Sequence, residues 1–162
     1  MQYTLPSDNI NLLKTLIGQK ITKVSRQLLE SDMKQENYEQ MADGPTELVF
    51  SNDRVVSFFP LTEIFSVGVT NTEMHQYGDS YIYKDLTDNL FWKQRVGQAI
   101  MKVLILKSAN ATEKNPMEFG VEFEFENDTR ACVEFIDEGE FPDTLRIIEK
   151  YEETECIKTV VE

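Results

Sequence analysis

Apolar and polar positions alternate along most of this chain, and the places where the period changes mark out its elements. Leu12, Leu13, Leu16 and Ile17 recur at helical spacing behind a capping run, Ser7-Asp8-Asn9, and Gly18 stands where a left-handed C-cap is wanted, so a short helix is predicted there. Ile21, Val24 and Leu28 then mark a strand from about Lys20 to Leu29. Glu30 to Gly44 is polar and weakly patterned, and is predicted as a long loop with a helical turn. The β-branched and aromatic runs Glu47–Phe50 and Arg54–Phe59 flank Ser51-Asn52-Asp53, residues that tolerate tight turns, and this predicts a hairpin. A strand over Glu63–Val69 follows, then a connection from Thr70 to Tyr83 that holds the only histidine, His75.

The second half repeats this order. Asp88 offers a cap for a helix carrying Leu90, Phe91, Trp92 and Val96 toward Gly97, and Ile100–Leu106 is an apolar run of strand type. Gly18-Gln19-Lys20-Ile21-Thr22-Lys23-Val24 aligns with Gly97-Gln98-Ala99-Ile100-Met101-Lys102-Val103, identical at five of seven positions. Phe119–Glu126, a turn at Asn127-Asp128, and Thr129–Ile136 parallel the first hairpin. The expected class is therefore α+β: mostly antiparallel β-sheet with a few short helices. Residues 1–162 form one domain, in which residues 7–69 and 88–136 are two helix–strand–hairpin halves about a pseudo-two-fold axis. Leu145–Val161 is expected as a last strand or irregular extension.

Charge changes the picture in the second half. Glu113–Glu162 holds sixteen carboxylates against five basic residues, a net −11 out of −13 for the whole chain. In Glu118-Phe119-Gly120-Val121-Glu122-Phe123-Glu124-Phe125-Glu126 the period of two sends Phe119, Val121, Phe123 and Phe125 to the core. Glu118, Glu122, Glu124 and Glu126 then face outward. Glu134 from the paired strand and Asp137, Glu138, Glu140 and Asp143 from the loop beyond it are expected to join them in one anionic, partner-binding surface. Only Arg130 is interspersed among these carboxylates between Glu118 and Asp143, and a folded surface of one sign attracts partners of the other.

Composition narrows the chemistry. With 41% apolar and 10% aromatic residues the chain is expected to fold as an ordinary domain. The N-terminus lacks the pattern of a secretory signal, and no apolar run approaches the roughly 18 residues of a membrane span, so a soluble, unexported protein is expected. Cys132 and Cys156 make neither a disulfide framework nor a zinc pattern and read as reduced, partly buried small side chains. No phosphate loop, nucleophile motif or metal-ligand spacing occurs, so no catalytic residue, metal or cofactor is assigned and an enzyme is not expected. Direct nucleic-acid binding is disfavoured by sign, since phosphate binding draws its affinity from Lys and Arg.

The Leu-Ile-Gly-Gln-Lys-Ile-Thr-Lys-Val opening, its Val-Gly-Gln-Ala-Ile-Met-Lys-Val echo and the Phe-Glu-Phe-Glu-Asn-Asp hairpin, in a small acidic α+β chain, resemble bacterial immunity proteins, including those of contact-dependent growth inhibition systems. The resemblance is one of style over most of the chain and implies a cytoplasmic antitoxin that neutralises a cognate toxin, often a nuclease. Such proteins share no common fold or binding residues, so no position inherits a role. The function expected is an inhibitor that binds a basic toxin domain through an acidic surface. The alternative is a ligand-binding or scaffold domain, with a homodimer as one of its forms, acting through an apolar surface around Phe58, Phe59, Phe91 or Trp92.

Overall fold

The computed structural model describes residues 5, 7–34, 40–138, 141–151 and 155–162. Helix α1 spans Ser7–Lys14 and is followed by strand β1, Ile21–Leu29. A single 3₁₀ turn at Asp32–Lys34 and the short β2, Met41–Ala42, occupy the polar stretch. Next come β3 (Thr46–Phe50), β4 (Val55–Leu61), β5 (Ser66–Thr70) and β6 (Tyr81–Asp85). The second half runs α2 (Leu90–Lys93), β7 (Ile100–Ser108), β8 (Glu118–Phe125), β9 (Arg130–Glu138), β10 (Phe141–Ile148) and β11 (Cys156–Val160).

All strand pairs are antiparallel and fall into two sheets, ordered β5-β4-β3-β1-β6 and β11-β7-β8-β9-β10-β2. The protein is thus of the α+β class, with two antiparallel sheets and few short helices. Read from the other end, the first sheet runs β6-β1-β3-β4-β5, the same connectivity as β11-β7-β8-β9-β10 in the second. Each half therefore extends beyond the boundaries drawn from sequence. The stretch expected as a connection contributes β6, and the expected extension after Leu145 lies in β10 and β11, the last two strands of the second sheet.

The halves also meet through matched hydrogen bonds. Gly18 N–H donates to Ile100 O at 2.7 Å and Gly97 N–H to Ile21 O at 2.8 Å. Both glycines sit at positive φ, 86° and 84°, which a side chain would strain. Each hairpin turn likewise places an aspartate in the left-handed region, Asp53 at φ 63° and Asp128 at φ 65°, with the preceding Asn side chain accepting a backbone N–H.

Helix α2 is shorter than the pattern suggested, and its cap is Asn89, not Asp88: the Asn89 Oδ1 accepts from Trp92 N–H at 2.8 Å. The core lies between the sheets, where Phe58 of β4 meets Phe123 of β8 edge to face and Phe65 meets Phe135 in the same way. Arg26 of β1 is fully buried and donates to the Gly44, Ala42 and Leu145 carbonyls, tying the β2 segment to β10. Burial lowers its guanidinium to about 10, against the opposing pull of Asp43 and Asp32. No helix among the described residues is long and apolar enough to cross a membrane.

Candidate partner-binding surface

The nine carboxylates singled out from sequence do not form one solvent-facing surface. Val121, Phe123 and Phe125 face the core as the alternation requires, but the opposite face of β8 and β9 is covered by a layer made of Tyr151 and of Lys158 from β11. Glu122 and Glu134 are fully buried beneath it. The Glu122 Oε1 accepts from Lys158 Nζ at 3.0 Å and from the Cys132 thiol at 3.4 Å. Glu134 accepts from Arg146 Nε and from the Tyr151 hydroxyl, and the Tyr151 ring packs edge to face on Phe119. Burial, with Glu122 beside it, pushes the Cys132 thiol far above its usual range, so it stays protonated.

A bulge between the β7 pairs Leu106–Gly120 and Lys107–Glu118 breaks the alternation at the start of β8. Phe119 consequently leaves the main core for the covered outer cluster of Leu106, Cys132 and Cys156, while Glu118 is buried. Burial raises the Glu118 carboxyl above its usual range, ahead of the lowering influence of Lys107 and the Leu5 backbone. Glu124 is half-buried between Arg130 at 3.4 Å and Lys102 at 4.0 Å. Glu126 is exposed but accepts Ala99 N–H at 3.0 Å, serving the junction between the halves. Asp137 and Asp143 are exposed, as expected; the Glu138 side chain and the whole of Glu140 lie outside the described residues. With Glu118, Glu122 and Glu134 buried and Glu124 paired to Arg130 and Lys102, these four cannot supply the anionic face. The apolar alternative fares no better at two of its four residues, because Phe58 and Trp92 are wholly in the core.

A different acidic surface is built on the outer face of the first sheet. Ser57, Glu47 and Gln27 project from adjacent strands β4, β3 and β1 and hold down the connection between β5 and β6. Ser57 Oγ donates to Thr72 O at 2.7 Å, and Glu47 Oε2 accepts from Met74 N–H at 3.1 Å. Gln27, itself fully buried, donates to His75 O and accepts from Tyr77 N–H at 2.7 Å. The Tyr83 hydroxyl donates to Met74 O at 2.9 Å. Side chains of the sheet thus fix a loop that the polar sequence leaves undetermined.

Three tyrosines emerge on this fixed layer among carboxylates. Tyr77 is 47% exposed and Tyr83 51% exposed. Tyr81 stacks edge to face on Tyr77 at 5.2 Å and donates its hydroxyl to Asp43 Oδ2 at 2.7 Å. Partial burial raises all three phenols above their usual range, and the neighbouring negative charge adds to it: Asp43 and Asp143 at Tyr77, Asp43 and Asp32 at Tyr81, Glu47 and Glu73 at Tyr83. Asp32 is itself raised by burial and then by Asp43. Of the sequence candidates whose side chains are described, only Asp143 belongs to this group. The sequence signal for this group is the Tyr-x-x-x-Tyr-x-Tyr spacing from Tyr77 to Tyr83, with Asp79 inside it and Asp85 just beyond, which runs into a strand edge inside what reads as a connection. The chain matches no protein-family model, and comparison with curated proteins and with solved structures gives no match either.

Proposed function

We propose that this protein is a binding protein of the immunity type that neutralises a basic partner, a toxin domain such as a nuclease, in the cytoplasm. The contact surface in this proposal is the outer layer of the first sheet, not the glutamates of β8. The observation that carries it is the grouping of Tyr77, Tyr81 and Tyr83 with Asp32, Asp43, Glu47, Glu73 and Asp143 on a hydrogen-bonded base. Tyrosine supplies large contact area at low conformational cost, and a ring of like charge steers an oppositely charged partner into register. With a chain charge of −13, long-range attraction extends the capture radius for such a partner.

Parallel capture from native lysate tests the proposal, using wild type and the triple variant Glu73→Lys, Asp143→Asn, Tyr77→Ala as baits. All three positions are exposed, so the fold should survive. Asn is chosen at 143 because the residue has φ 50°, which Asn tolerates. The wild type should retain a basic protein whose activity falls on stoichiometric mixing, and the variant should lose it. A partner held equally by both baits, or an acidic one, contradicts the proposal.

A further inference from the structure

The layer pinned over the first sheet is not solid. Between it and the strands lies a cavity of about 230 Å³, walled by Phe59, Met74, Tyr77 and Pro45, with Ser57 and Thr70 at its floor. Its existence has a specific cause. Gly68 stands opposite Phe59 in the β4–β5 ladder, and a Cβ there would fall 2.2 Å from the Phe59 ring. The ring therefore lies flat over the glycine, and the space above it stays open. Glu73 and His75 stand at the rim with Thr72. Ser57 Oγ is already engaged with Thr72 O, and Met74 N–H with Glu47, so the walls offer mainly carbon.

We propose that this cavity takes a long basic side chain, arginine or lysine, from the partner, its methylene stem against Phe59 and Met74 and its cation at Glu73 beside the Tyr77 ring. This rests on the binding function proposed above and names the anchor that its surface would seat. The shape suits a stem that is apolar along its length and charged at its end. The rim decides the sign. Glu73 and the carboxylates around Tyr77 and Tyr83 repel an anionic side chain, a purely aliphatic one leaves Glu73 without a counter-charge, and an aromatic face beside a carboxylate attracts a cation. A central pocket that desolvates one basic side chain is the usual form of a binding hot spot.

The test uses short blocked peptides, N-acetyl-Gly-Arg-Gly-amide, its lysine counterpart, and a norleucine peptide of the same length, titrated into the isotopically labelled full chain and followed by amide chemical shifts. The arginine or the lysine peptide should produce saturable shifts at Thr72, Met74 and Tyr77, with affinity in about the millimolar range expected of so small a ligand. Glu73→Gln should weaken that affinity about two- to fivefold, the range of an exposed ion pair. Thr72→Phe, which fills the cavity from the exposed rim, should abolish the shifts while leaving the rest of the spectrum in place. Norleucine binding as tightly as the basic peptides, basic-peptide shifts that survive Thr72→Phe, or no saturable shift at these amides would each overturn the pocket assignment. These outcomes differ from failure of the parent proposal, which is decided by whether the captured partner depends on Glu73, Asp143 and Tyr77 at all.

Discussion

At the scale of single residues, the carboxylates divide by what covers them. Glu122 carries a charge at a fully buried position and is held by Lys158, whose side chain is only 12% exposed. Removing one partner of such a pair leaves an uncompensated charge, so Lys158→Met should cost about 3–5 kcal/mol. The double variant Lys158→Met, Glu122→Gln should recover much of that loss, and urea denaturation of the two measures the difference. Reversing Glu122 to Lys would face two cations in the same buried site and should prevent folding, so it cannot probe binding. Glu118 gives a pH signature. Because burial raises its carboxyl, the folded state binds this proton more tightly than the unfolded chain. Its contribution to stability is therefore greatest below the unfolded value of about 4.3 and is lost as pH rises through the folded one. Glu118→Gln should be more stable than wild type at neutral pH, with the gap narrowing as the pH is lowered toward 4, in parallel denaturation series.

At the scale of elements, the glycines at the junction of the halves set a conformational requirement rather than a packing one. A Cβ at Gly97 would meet nothing within 4 Å, yet its φ is 84°. Gly97→Ala should thus cost about 1–2 kcal/mol from backbone strain alone, and Gly97→Asn less. Equal stability of the alanine variant would show that the junction relaxes. The same elements mark how far the sequence could be read. Helix α1, β1, both hairpins and the Gly18/Gly97 echo were legible, because period, turn residues and caps are local properties. The faces of β8 were legible as alternation, but not the bulge that exchanges Glu118 and Phe119, which depends on the register with β7. Nor could alternation show that a face pointing away from the core is covered. Tyr151 and Lys158, which bury Glu134 and Glu122, are far along the chain from both. Gln27, Glu47 and Ser57 look like ordinary outward polar residues until the loop over them is seen to use each one.

At the scale of the molecule, the two sheets share a connectivity, and the outer face of each is covered, by the β5–β6 connection in the first and by Tyr151 and Lys158 in the second. Their chemistry differs. In the second half the outer glutamate, Glu122, is closed off by Lys158, whereas its counterpart in the first half, Glu47, accepts a backbone N–H and leaves tyrosines and carboxylates facing solvent. Net charge alone located the acidic excess in the second half of the sequence, but the carboxylates that gather round exposed aromatic side chains come mostly from the first. The most direct measurement is the association rate of the captured partner as ionic strength is raised, for wild type and for the Glu73→Lys, Asp143→Asn variant. A steered encounter through this face predicts a wild-type rate that falls steeply with salt and a variant that starts slower, by about tenfold at low salt, and depends less on it. Identical rates and identical salt slopes for the two proteins would contradict the assignment of this face.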